Sequence, residues 1–146
     1  QKIDPALTYD PSSGKLYRRG KEAGSVSRGK YRRVAVQGKE QYTHRVAWFL
    51  MTGTWPTQID HINGDGLDNS WDNLRLATNA QNQQNCKPRT QYPKGVCVNI
   101  RTGAIQARIV VDKCQRYLGT FKTTKEAHAA YCKAARHHFG EYARTQ

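Results

Sequence analysis

Four side chains in the middle of the chain have the types and spacing to act on a phosphate ester. Asp60 and His61 are neighbours, Asn73 follows twelve residues after His61, and Asn82 nine residues after that. Adjacent side chains on a strand point to opposite faces, so Asp60 and His61 can serve two sides of one reacting group. Asp60 offers a hard carboxylate oxygen suited to a cation such as Mg2+. Histidine is the side chain that exchanges a proton near neutral pH, which makes His61 a candidate general base toward water. The Asn82 amide oxygen is a second hard donor. Asn73, where a second strand begins, is placed to steer the His61 ring by a hydrogen bond. Water, a base and a cation that offsets developing charge are the parts phosphodiester hydrolysis needs.

The elements around these residues follow from local patterns. Ile59–Ile62 and Leu74–Ala77 are short apolar pieces flanking a polar loop of Asn, Asp and Gly at 63–73. That reads as a β-hairpin with a long loop. Thr78 and Gln81 fit a capping box, so a polar helix is expected from Asn79 to about Asn85. Upstream, residues 1–42 read as short strands and turns, with turn chemistry at Asp10-Pro11-Ser12-Ser13-Gly14. Thr43 is expected to cap a helix from His44 to Thr52, with Val46, Ala47 and Leu50 on one face and Gly53 as its stop. Asn63, Asp65, Asp68 and Asn69 lack the Glu of a calcium-binding loop and read as turn residues.

The Asp60-His61, Asn73, Asn82 constellation resembles the HNH endonuclease motif, in the form found in phage-type homing endonucleases. The resemblance covers about 45 residues: His44-Arg45-Val46-Ala47-Trp48, Gly53-Thr54-Trp55-Pro56, Ile59 to Asp65, Asp72-Asn73-Leu74-Arg75, and Ala77-Thr78 with Asn82 and Asn85. It implies a ββα-metal (His-Me) finger, Asp60 and Asn82 as metal ligands, His61 as general base and Asn73 as the residue that orients it. The third position of the motif is often His, and here it is Asn82. An amide in place of imidazole favours one hard cation, Mg2+ or Mn2+, over softer transition metals.

The charge distribution agrees with a polyanionic substrate. The chain of 146 residues carries 24 Lys and Arg against 11 Asp and Glu, a formal charge of +13. Residues 1–55 hold eleven basic and four acidic side chains, and residues 87–146 hold twelve and three. Between them, residues 56–86 hold only Arg75 against Asp60, Asp65, Asp68 and Asp72. Basic flanks neutralise phosphates and release counterions, and an acidic centre is compatible with that role when it holds a cation. The longest apolar run, Val46 to Met51, is far short of the roughly 20 residues of a membrane span, so neither a span nor a signal peptide is expected. Gln at position 1 suggests a processed or truncated start. Cys86, Cys97, Cys114 and Cys132 lack the close spacing of a structural zinc site, so no structural zinc is expected and the thiols read as reduced, in a cytoplasmic protein.

After a proline-containing linker at 87–93 the texture changes. Val96, Val98 and Ile100 alternate with polar residues, as do Ile105, Ala107, Ile109 and Val111, and a third strand is expected over Gln115–Phe121. Thr123 and Glu126 form a capping box for a helix to about Phe139, with Ala127, Ala130, Tyr131, Ala134 and His138 as its core face. Gly95-Val96, Ala107-Arg108-Ile109, Tyr117 to Phe121 and Glu126 to Tyr131 resemble an APETALA2-type DNA-binding domain over about 94–143. That resemblance implies a sheet face entering the major groove and, by position, Lys94, Cys97, Asn99, Arg101, Arg108, Gln115 and Tyr117 as DNA-facing residues. Arg116 is a further DNA-binding candidate, ranked below these because it has the opposite parity. Ile105 replaces a frequent aromatic, and Cys97 and Val110 replace frequent arginines, which shifts the expected readout toward phosphate contacts.

The reading is an α+β chain. It comprises a strand-rich arm with an HNH finger (1–86), a linker (87–93), and a three-stranded antiparallel sheet packed on one helix (94–146). The expected function is metal-dependent hydrolysis of double-stranded DNA by a phage-type homing or free-standing endonuclease, in the host cytoplasm and as monomer or homodimer. Arg18, Arg19, Arg32 and Arg33 are expected to track phosphates. The alternative is a DNA-binding regulator whose finger is only structural. His44 reads as a structural pin, Trp48, Trp55 and Trp71 as core residues, and His137 and His138 as the end of a basic helix.

Overall fold

The computed structural model describes residues 3–27, 29–88 and 90–145. The chain divides into two units, Gln1–Ala80 and Gln81–Gln146. Arg89, in the expected linker, lies outside the described residues; its described neighbours are in neither helix nor strand.

The first unit starts with two antiparallel meanders. One is β1 (Leu7–Asp10), β2 (Lys15–Arg18) and β3 (Lys21–Ala23); the other is β4 (Ser25–Ser27), β5 (Tyr31–Val36) and β6 (Lys39–Tyr42). The β1–β2 turn closes on Gly14, with φ +68, and Asp10 accepts from the Ser12 amide and from both serine hydroxyls. The helix α1 (Thr43–Thr52) ends at Gly53, whose left-handed backbone lets its N–H reach the Phe49 carbonyl. Thr43 is not its cap: it is the first helical residue, its hydroxyl is buried without a partner, and the position before it is Tyr42. Leu7, Leu16, Val34, Val36 and Val46 form one core, with Tyr9, Leu50 and Trp55 packed on it. A second core joins Ala47 to Ile59 and Leu74, with Tyr9 and Trp48 at its edge. Trp48 lies 4.9 Å from Trp71, and Phe49 the same distance from Trp55. The three tryptophans are thus packing residues of the first unit.

The expected hairpin is β7 (Ile59–His61) against β8 (Leu74–Leu76), in the register Ile59 to Leu76, Asp60 to Arg75 and His61 to Leu74. A 3-10 turn at Trp71–Asn73 leads into β8. The helix α2 (Asn79–Asn85) follows, and the division between the units falls inside it.

The second unit is one antiparallel sheet with β10 (Ile105–Val111) between β9 (Val96–Val98) and β11 (Cys114–Phe121). Ala107, Ile109 and Val111 face α3 (Thr124–Phe139). Thr123 caps α3 by accepting from the Glu126 N–H, and the Glu126 carboxylate accepts from the Lys122 N–H, one residue before the cap. The buried ridge of α3 is Ala127, Tyr131 and Ala135, continued by half-buried Phe139. His138 lies off this four-residue ridge and is exposed, contrary to the expectation from its spacing. Ile100 also departs from expectation: it is 99% exposed. The β9 alternation ends at Val98 because Asn99 closes a turn, its Oδ1 accepting from the amides of Arg101 and Thr102. No helix of the described residues is long and apolar enough to cross a membrane.

Candidate active site and nucleic-acid face

Asp60 and His61 are held in place by different partners. Both are buried, at 6% and 7% exposure. The register puts Arg75 opposite Asp60, and the guanidinium donates through Nε and Nη2 to Asp60 Oδ2, at 2.9 and 2.7 Å. The neighbouring His61 side chain enters an aromatic pocket. The His44 ring meets it edge-on at 5.0 Å between centroids, and Tyr31 lies at 6.0 Å. His44 stacks on Tyr42. Burial first, then electrostatic coupling to His61 and the Arg45 charge, hold His44 down at about 3, so it is a neutral wall.

Asn73, the residue expected to steer His61, acts on the loop. Its Oδ1 accepts from the Asn63 N–H at 2.9 Å, and its Nδ2 donates to Asn63 Oδ1 and to the Asp68 carbonyl. Two distant points of the 63–73 loop are tied together through one amide. Asn69 makes a direct contact with the ring: its Oδ1 lies 3.0 Å from His61 Nε2, and it is 1% exposed. Sequence reading placed Asn69 among turn residues. Nothing local distinguishes it from Asn63 or Asp68, because the contact depends on how the loop folds back over β7.

Two other carboxylates of the acidic segment shape that loop. Asp65 accepts from the Leu67 N–H. Asp68 accepts from the Ser70 N–H and hydroxyl and from Asn63 Nδ2, and these bonds hold it below the usual carboxylate range, that to the Ser70 hydroxyl foremost. Among the described residues, no group of three or more His, Cys, Asp and Glu is gathered to hold a metal ion. The donor set expected from sequence, one carboxylate and one amide oxygen, suits a hard cation completed by water and phosphate oxygens. Asp60 fits it in type and burial. Asn82 lies on α2 beyond the division between the units, in the second unit.

Three of the four arginines expected to track phosphates are engaged within the first unit. Arg18 donates to the Ala35 carbonyl and pairs with Asp4. Arg32 pairs with Glu22. Arg33 pairs with Glu40, donates to the Tyr42 hydroxyl and lies over the Tyr42 ring. Arg19 is exposed in a turn, with φ +50.

The second unit presents an open sheet face opposite α3. Register sets Arg108 beside Tyr117, Val110 beside Gln115, and Gln106 between Cys97 and Thr120. A bulge between Ala107 and Arg108 keeps Tyr117 on this face. Tyr117 is 60% exposed and bonded to the Thr120 hydroxyl, and Arg108 donates to Gln106 Oε1. Arg116 pairs with Ile109, on the helix side. Arg101 is exposed in the turn that Asn99 closes. Lys94 is drawn away from the open face: its ammonium donates to the carbonyls of Gln83, Gln84 and Cys86 at the end of α2. An open groove of about 640 Å3 adjoins the face, lined among others by Lys87, Lys94, Cys97, Arg108 and Gln115.

No curated protein and no solved structure matches the chain. Residues 41–84, running from the end of β6 through α1, the β7–β8 hairpin and most of α2, match the family described as HNH endonuclease, which supports a nuclease.

Proposed function

We propose that the chain is a metal-dependent endonuclease that hydrolyses phosphodiester bonds of double-stranded DNA, of the phage homing or free-standing type. The observation that carries this reading is His61, buried, oriented by an amide and walled by a neutral His44, beside the Asp60 carboxylate in the segment that matches the HNH family. In this reading His61 takes a proton from the attacking water as its oxygen bonds to phosphorus. The bond from phosphorus to the 3′ oxygen then breaks, leaving a 5′ phosphate. Asp60 and Asn82 would hold one divalent cation, Mg2+ or Mn2+, which supplies charge stabilisation to the transition state and the leaving oxygen. Asn73 keeps the loop closed. The second unit, with the strand pattern and basic charge of an APETALA2-like module, grips the duplex through Arg108, Gln115, Tyr117 and Arg101.

A second reading has its own observation. The bond between Arg75 and Asp60 neutralises the proposed ligand from within the hairpin, as a purely structural finger in a DNA-binding regulator would. Plasmid cleavage separates the two. The nuclease reading expects nicking or linearisation in Mg2+ or Mn2+, abolished by EDTA and by His61→Ala. Equal inertness of wild type and His61→Ala across several DNA substrates and both metals favours the regulator.

A further inference from the structure

We infer that Asn69 is a positioning residue that fixes His61 in the tautomer with hydrogen on Nε2, and that the N-terminal sheet holds Asn69 in place through Tyr9 and Gly14. This rests on His61 as the base of the proposed reaction and says which of its nitrogens does the work.

The tautomer follows from the amide. Asn69 Nδ2 donates to the Leu67 carbonyl at 3.2 Å, so the amide is turned with Oδ1 toward the ring. A carbonyl oxygen only accepts. His61 Nε2, 3.0 Å away, must therefore donate. A neutral imidazole with its hydrogen on Nε2 carries its basic lone pair on Nδ1. Nδ1 is then the atom that receives the proton of water. The edge-on His44 ring and the Tyr31 ring keep the imidazole plane from turning.

The position of Asn69 is set from far away in sequence. The Tyr9 hydroxyl donates to the Asn69 carbonyl at 2.6 Å across sixty residues of chain. Burial and the nearby Asp10, Asp68 and Asp72 charges push Tyr9 up to about 12, so it stays a donor at any working pH. Gly14 lies so close that a Cβ there would overlap the Asn69 carbonyl carbon and the Ser70 amide nitrogen. One residue further on, the Trp71 N–H donates to the Pro11 carbonyl at 2.9 Å. The turn between β1 and β2 is thus the seat of the catalytic loop. On the opposite side Gly66 packs directly on the Lys30 carbonyl and the Tyr31 ring. The strand-rich arm thus acts on the proposed chemistry through the loop.

Histidine tautomers are read directly from long-range proton–nitrogen spectra of the full chain labelled with 15N-histidine. Spectra are taken at pH 8.5, above the ordinary histidine range, with His61→Ala assigning the resonance among five histidines. Wild type is expected to show a single tautomer with hydrogen on Nε2. In Asn69→Leu both ring nitrogens should shift toward averaged values, with single-turnover DNA cleavage at least tenfold slower and DNA affinity unchanged. Tyr9→Phe removes one hydroxyl bond and should give an intermediate spectrum and about fivefold slower cleavage. A wild-type spectrum with hydrogen on Nδ1 or with mixed tautomers overturns the proposal even if Asn69→Leu does not fold, as does a folded Asn69→Leu spectrum identical to wild type. Tyr9→Phe identical to wild type in both readouts overturns the role of the arm. The spectrum needs no activity: a wild type with the expected tautomer that cuts no DNA refutes the nuclease reading alone.

Discussion

Replacing Arg75 with Leu removes the guanidinium that bonds Asp60 from within the finger. The two side chains are 13% and 7% exposed, and two N–H groups converge on one oxygen at 2.7 and 2.9 Å. An exposed ion pair is worth at most about 1 kcal/mol. This one is buried, and taking one partner from a buried pair costs roughly 3–5 kcal/mol, because the remaining charge stays in a poorly solvating site. The unit Gln1–Ala80 would hold about 4–12 kcal/mol in total at typical values per residue, so Arg75→Leu should leave it close to unfolding. Asp60→Asn with Arg75→Leu removes both charges and should recover about 2 kcal/mol or more of the loss. Urea unfolding followed by tryptophan fluorescence measures both variants, since Trp48, Trp55 and Trp71 all report on the first unit. Arg75→Leu within about 0.5 kcal/mol of wild type, or a double variant no more stable than the single, refutes the view that a buried charge is held by its partner.

Three other outcomes are expected. His44 is held at about 3 in the folded state against an ordinary 6.5. Only the unfolded chain binds its proton between those values, so stability is lost as pH falls from about 6.5, by about 1.4 kcal/mol per pH unit for this group; urea titrations at pH 6.5, 5.5 and 4.5 should show the slope, and His44→Phe should flatten it. Leu16→Ala empties a fully buried position beside Leu7, Val34, Val36 and Val46 and should cost about 2–5 kcal/mol in the same unfolding assay. Arg108→Ala on the open face should weaken DNA binding across all sequences and lower the slope of log affinity against log salt by about 1, measured by fluorescence anisotropy.

The sequence was most legible where short-range periodicity decides structure. Alternation of Ile105 to Val111 placed the faces of the second sheet, the parity of Arg116 against Arg108 and Tyr117 follows the register, and α2 spans Asn79–Asn85 as its polar pattern implies. Misplacements came where a local rule met a longer-range one. Ile100 fits the strand alternation, but the Asn99 turn ends the strand first. His138 sits near the apolar stripe of α3, but the ridge of Ala127, Tyr131 and Ala135 passes to Phe139. Thr43 has cap chemistry, yet helix packing buries it in the first turn.

The candidate site was legible in residue type and less so in who touches whom. Spacing singled out Asp60, His61, Asn73 and Asn82 and expected Asn73 to steer His61; the Asn73 amide bonds the loop, and Asn69 Oδ1 lies against the His61 ring. Three carboxylates of the negative centre fall into two kinds. Asp65 and Asp68 are loop ties, and Asp60 alone stands in the hairpin beside the histidine. The arm's positive charge likewise includes Arg18, Arg32 and Arg33, which close ion pairs at home. Such pairings join residues whose proximity is created by the tertiary fold, so net charge overstates what is turned toward a polyanion.

In the proposed reaction His61 performs the proton transfer of DNA hydrolysis. Single-turnover cleavage of end-labelled duplex in Mg2+, with enzyme in excess and saturating over DNA, tests it most directly for wild type against His61→Ala. Equal DNA affinity and a cleavage rate at least about 100-fold lower in His61→Ala are expected, the usual scale of a lost general base. Equal rates in the two proteins, at matched occupancy, contradict it.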